Sequence, residues 1–145
     1  MIAVRTTPGL PLAALLVLVG ALGARAADPG SENAAYDAAV TGWQQDWAAR
    51  PAASTIDHGI CTRYWQTGDA IRSRMKTAAV PASRQAYHTA LLAYVDAALA
   101  TADACLAESR VTADWVAKNR EAYRLRRDLM QLVRTSGLHL PTSWH

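Results

Sequence analysis

The residues of this chain with chemistry to offer are two cysteines, four histidines and a run of arginines towards the C-terminal end. A structural metal site wants about four Cys or His ligands brought together. His58-x-x-Cys61 supplies two, one helical turn apart, while His88, His139 and His145 are scattered. A reactive thiol needs a local activating charge, and position implies no Cys-His or Ser-His pairing. The Gly-x-Ser-x-Gly elbow, the phosphate-cradling glycine loop and the Cys-x-x-Cys-His haem attachment motif are all absent from the sequence. The pattern therefore predicts no catalytic residue, no metal and no cofactor. Cys61 and Cys105 read as one disulfide, the usual state of paired cysteines in an exported chain.

Arg120, Arg124, Arg127 and Arg134 fall on one side of a helix predicted over 112–135. Trp115, Ala122, Leu125, Leu129, Leu132 and Val133 fall on the other. Like charges on one face do not stabilise a helix, so the stripe is a candidate surface for an acidic protein partner or anionic headgroups. Glu121 and Asp128 moderate it, and a solvated face is the competing explanation. The net charge of +3 falls to +1 once Arg5 and Arg25 leave with the leader, which argues against nucleic-acid binding. The charge is uneven: residues 27–108 carry −3 and residues 109–145 carry +4.

All-helical exported enzymes that bind small dianions between helices, chorismate mutases among them, need several inward-facing cations. Here Lys118 projects onto the apolar face of the last helix and Arg126 lies at its edge. Arg84 and His88 lie on the seam of the preceding helix. His88 and Cys105 are 17 residues apart, about 25 Å along a helix. These groups are expected not to converge but to snorkel from the rim of the core.

The elements that must position these residues follow from periodicity. Residues 1–26 read as a signal peptide. Arg5 gives the positive start, 12–22 an apolar run of eleven residues, and Ala24-Arg25-Ala26 a small-x-small cleavage site. Eleven residues are too few to span about 30 Å of hydrocarbon. No later apolar run is expected to reach membrane length. The remaining 119 residues form one domain. A first helix is predicted over 31–49, capped by Ser31, with Tyr36, Val40, Trp43 and Trp47 on its inner face. A second begins near Ser54 or Thr55, with Ser54 and Asp57 resembling a capping box, and ends before Pro81. Gly59 and Gly68 weaken it by about 1 kcal/mol each. A third, over 82–108, carries Leu91, Val95, Ala98, Ala102 and Cys105 along its seam, with Leu92, Leu99 and Leu106 beside them. A fourth covers 112–135 and is capped by Gly137. The tail 138–145, with Pro141 and Trp144, is expected to fold back.

If helices two and three form a hairpin turning near Pro81, residues equidistant from the turn meet. Residue 83 is the midpoint of Cys61 and Cys105. A bridge there closes a loop of 44 residues, worth roughly 4 kcal/mol in the chain-entropy model. The expected fold is all-α: an up-and-down four-helix bundle stapled by one disulfide, after a cleaved signal peptide, in a periplasmic or secreted protein. In size and architecture alone it resembles small exported acid-stress chaperones and immunity proteins. The expected role is a non-catalytic protein-interaction module, and the alternative is an exported helical enzyme or small-anion-binding protein. Intact-mass measurement of exported protein checks the leader. Its chain should start near Ala27, and a retained 1–26 segment would contradict both the compartment and the oxidised cysteines.

Overall fold

The computed structural model describes residues 28–50 and 56–138. Its helices are α1 (Pro29–Ala48), α2 (His58–Thr77), α3 (Gln85–Glu108) and α4 (Ala113–Thr135), with a single 3-10 turn, Ala82–Arg84, leading into α3. The expected leader at 1–26, Ser54 and Thr55, and the tail from His139 on lie outside the described residues.

The helix ends follow local chemistry, with two shifts from expectation. α1 is capped by Asp28 instead of Ser31: the Asp28 carboxylate accepts from Gly30 N at 3.2 Å, and Pro29 takes the first position, where a missing N–H costs nothing. Ser31 instead donates its hydroxyl to the Asp28 carbonyl at 2.7 Å. α2 starts later than expected, because Asp57 is itself the cap and accepts from Ile60 N at 2.8 Å. The break after α3 carries no Gly or Pro; Ser109 adopts the left-handed conformation, φ 52°, and sends its N–H back to the Cys105 carbonyl at 2.7 Å. Thr112 caps α4 through Trp115 N at 3.1 Å, and Gly137, φ 63°, closes it.

Side-chain contacts show the helices alternating in direction. Cys61 meets Cys105, Gly68 meets Leu99 and Arg72 meets Asp96, so α2 and α3 are antiparallel. Tyr36 meets His88 and Trp47 meets Tyr94, so α1 runs parallel to α3. α4 returns against α3 and buries Ala122, Leu129 and Val133. The result is an up-and-down bundle with α3 at its centre, burying nine of its residues. By length and composition, Ala82–Glu108 is apolar enough to cross a membrane, contrary to expectation. The physical reason is alanine, which raises hydropathy while letting α2 and α4 approach the backbone. Gly68 has the same use. A Cβ there would sit 2.9 Å from Leu99 Cδ2, so this glycine is a close-packing point, and its cost to the helix is offset by the contact it allows.

α1 packs differently, through large rings and polar clasps. Tyr36, Val40, Trp43 and Trp47 are all buried. Arg84 holds Asp37 with a two-pronged pair of hydrogen bonds, both 2.8 Å. Tyr36 Oη and His88 Nδ1 share a buried hydrogen bond of 2.9 Å. Burial pushes the Tyr36 hydroxyl well above its ordinary value and lowers His88 below 6.5.

The sign of the His88 effect is definite. The unfolded chain binds its proton more readily than the folded one, so this residue's contribution is full above about pH 6.5 and is lost as pH falls through the depressed folded value. Urea unfolding at pH 7.5 and pH 5 should show wild type losing more stability on acidification than His88→Gln. Equal losses would contradict the assignment.

Candidate functional site

The helices do not end together. The last inward ring of α1, Trp47, meets Tyr94, at 6.2 Å between ring centroids. From there α3 continues to Glu108, about 21 Å further at 1.5 Å per residue. Over that length α2, α3 and α4 continue beyond the end of α1. A cavity of about 440 Å³ lies there, within the range of small-molecule sites.

Its floor is the end of α1. Arg50 turns back and donates from Nε to the Trp47 carbonyl at 2.6 Å, placing a cation at the negative end of the helix. Its guanidinium then lies 3.6 Å from the centre of the Trp47 ring and 4.2 Å from that of Tyr64. Two aromatic faces and a carbonyl hold it in place. Burial lowers its pKa to about 10, so it keeps its charge at neutral pH.

The remaining walls come from three elements. Ile56, Ile60 and Tyr64 stand on α2 and its lead-in; Tyr94, Ala98 and Thr101 on α3; Trp115, Asn119, Tyr123 and Arg126 on α4. Cys61 and Cys105 close one side, with Cα atoms 5.8 Å apart. Among the described residues, two arginines and no Asp or Glu line the cavity. Burial raises the pKa of the Tyr94 hydroxyl, while Arg126 and Arg50 both pull it down. Five aromatic side chains, two guanidinium groups, an amide and a hydroxyl suit a small ligand with an apolar body and a negative end.

The chain matches no known protein family, no curated protein and no solved structure.

The four side chains considered for an inward site do not converge, as expected. Lys118 does not face inward: its Nζ pairs with Asp114 at 2.7 Å across one helical turn, with much of both side chains in solvent. Arg84 and His88 are committed to Asp37 and Tyr36 at the far end of the bundle. Of those four, only Arg126 lines the cavity among the described residues. Its counterpart, Arg50, was not among them. Its one sequence signal is an arginine three residues after Trp47 and just before Pro51, at a predicted helix end.

Arg120, Arg124, Arg127 and Arg134 are exposed. They are not four equal charges. Arg124 is held by Glu121 on one side and Asp128 on the other, at 2.8 Å for the latter. Arg127 also approaches Asp128, at 3.6 Å. Among the described residues, no carboxylate lies within 4 Å of Arg120 or Arg134. No group of three His, Cys, Asp or Glu side chains able to hold a metal occurs among the described residues.

Because the bridge forms part of the cavity wall, its loss should be felt in both stability and shape. Cys105→Ser is expected to cost about 2–5 kcal/mol in denaturant unfolding. A change below about 1 kcal/mol, within the range of an ordinary surface substitution, would contradict the bridge's structural role.

Proposed function

We propose that this protein binds a small organic anion, a carboxylate carried on an apolar or ring-bearing body, in the cavity at the disulfide end of the bundle. One observation carries this reading. Arg50 and Arg126 line one cavity rich in aromatic rings, with no carboxylate among its described lining residues. A guanidinium fixed in advance by Trp47 and Tyr64 loses little freedom on binding, which favours affinity. The cavity walls would cover the ligand's apolar body.

The disulfide supports an oxidising compartment. We therefore place the protein in the periplasm or outside the cell, with residues 1–26 as its export signal. A binding protein and an enzyme both fit the cavity. The described side chains lining it include no carboxylate and no histidine to act as a strong general base, and binding is the reading we adopt.

A second reading has its own feature, on the outer face of α4. Val116 and Tyr123 are 40% and 61% exposed and alternate with Arg120 and Arg127 one turn apart. An aromatic ring among arginines is typical of protein-binding surfaces. The partner for such a face would be an acidic protein, and the contact would weaken with salt.

One titration separates the two readings. Calorimetry with benzoate and with neutral benzamide compares ligands of similar shape and different charge. We expect benzoate to bind about tenfold tighter or better, and the Arg120→Gln, Arg124→Gln, Arg127→Gln triple variant to bind it unchanged. Equal affinity for both, or no binding of either up to millimolar concentration, would overturn the cavity reading. Loss of benzoate binding in a folded triple variant would move the site to the outer face.

A further inference from the structure

Two helix faces of the bundle are left uncovered. On α4, Val116, Tyr123 and Met130 recur every seven residues, and Arg120, Arg127 and Arg134 recur beside them at the same interval. Seven residues are almost two helical turns, so the two sets keep to one face. Ala122, Leu129 and Val133, which α4 buries, lie on the other side. All of the outer set are exposed except Met130, which is half-buried. On α3, Ala93, Asp96, Ala100, Asp103 and Ala107 follow at steps of three, four, three and four, and all but the half-buried Ala100 are exposed. This helix is apolar enough by length and composition to cross a membrane, yet only 39% of an 18-residue apolar stretch of it is buried in the bundle. Asp96 is half exposed, with Arg72 of α2 at 3.5 Å. Among the described residues, no cation lies within 4 Å of Asp103.

We propose that a second copy of this chain covers these faces, with the α4 row of one copy packed along the α3 row of the next. The two rows answer each other in charge, in repeat and in size. Asp96 and Asp103 stand seven residues apart, about 10.5 Å along the helix, and Arg120, Arg127 and Arg134 repeat at the same rise. The α4 row is a ridge of a ring and long side chains, and the α3 row between its aspartates is alanine, a shallow furrow that a ridge can enter. Like rows do not fit each other. α4 on α4 sets arginine against arginine, and α3 on α3 sets aspartate against aspartate, both of which cost energy. A lipid covering of α3 would bury Asp96 and Asp103 in hydrocarbon. Because different helices supply its two sides, the contact is heterologous. One helix pair is a small interface, so the association is weak and depends on concentration. This inference builds on the outer-face reading of α4 and is independent of the anion-binding reading of the cavity.

The test is a charge reversal followed by sedimentation velocity on the full exported chain, from about 10 μM to about 1 mM at low salt. The weight-average mass of wild type should rise above that of the monomer with concentration and fall back as salt is added. Asp103→Arg alone, and Arg120→Glu with Arg127→Glu alone, should each weaken association at least tenfold, with an unchanged circular dichroism spectrum. Each of these sets like charges against each other across the contact. An equimolar mixture of the two variants should regain the association, because the reversed charges of one then face the reversed charges of the other. If a reversal variant fails to fold, Asp103→Asn and Arg127→Gln replace it. Each should weaken association about threefold or more, and the chain carrying both should lose less than the product of the two losses, the mark of side chains that meet. A wild type that stays monomeric throughout overturns the proposal, even where it captures an added acidic helix, and leaves the cavity reading untouched. Association that survives either reversal, or a mixture of two folded variants that stays monomeric, overturns it as well.

Discussion

The bridge between Cys61 and Cys105 is a covalent tie between α2 and α3, with Cα atoms 5.8 Å apart. Cα atoms lie about 2.3 Å from a helix axis, so this separation suits helices packed at the usual distance of about 8–10 Å. The neighbours of the bridge are small. Ala102 and Ala104 beside Cys105 are buried, and Gly68 lets Leu99 and Trp47 press against the α2 backbone two turns below. The bridge therefore ties α2 to α3 along the stretch that α1 does not cover. α4 is held to α3 through Ala122 on its inner face. Tied on one side and alanine-packed on the other, α2, α3 and α4 line a cavity past the end of α1. The opposite end needs no such staple. There α1 is present, and its rings and the Asp37–Arg84 pair fill the space between helices.

The same division separates the packed core from the cavity of the proposed site. The large buried side chains Tyr87, Ile71, Met75, Leu91 and Leu129 lie in one continuous cluster with the inner face of α1. The polar groups of that region are used on each other, as with Tyr36 and His88. Beyond Trp47 the character changes: rings remain, but the polar groups that accompany them are two guanidinium groups, an amide and a hydroxyl facing a space. Trp47 belongs to both regions. One side of it is core, and the other carries Arg50.

Much of the fold was legible in the sequence because its signals are local. Steps of three and four along α3 located its seam, and the symmetric placement of the cysteines about Pro81 set the hairpin register that the 5.8 Å separation bears out. Errors at the caps arose where two residues competed for one role. Ser31 and Asp28 both suit an N-cap, and Pro29 decides for Asp28 by occupying the first helical position. The site was far less legible. Arg50 matters because α1 stops level with Tyr94 while α3 runs on, and no local pattern states the relative heights of two helices. Lys118 snorkels as expected, because a position at the margin of an apolar face turns outward when Asp114 offers it a partner one turn away. Arg126 reads as an edge residue that snorkels, and past the end of α1 that edge lines a cavity.

The central claim is that the end of the bundle left uncovered by α1 is a binding site and not merely a gap in the packing. Nuclear magnetic resonance of ¹⁵N-labelled protein tests it most directly, since the indole N–H of Trp47 and Trp115 and the amides of Asn119 and Thr101 report from the cavity. Titration with benzoate should shift these signals together along one saturable curve and leave those of Tyr36, His88 and Arg134 in place. Shifts gathered on the outer face at Arg134, or cavity signals that stay still while the rest drift, would contradict the account.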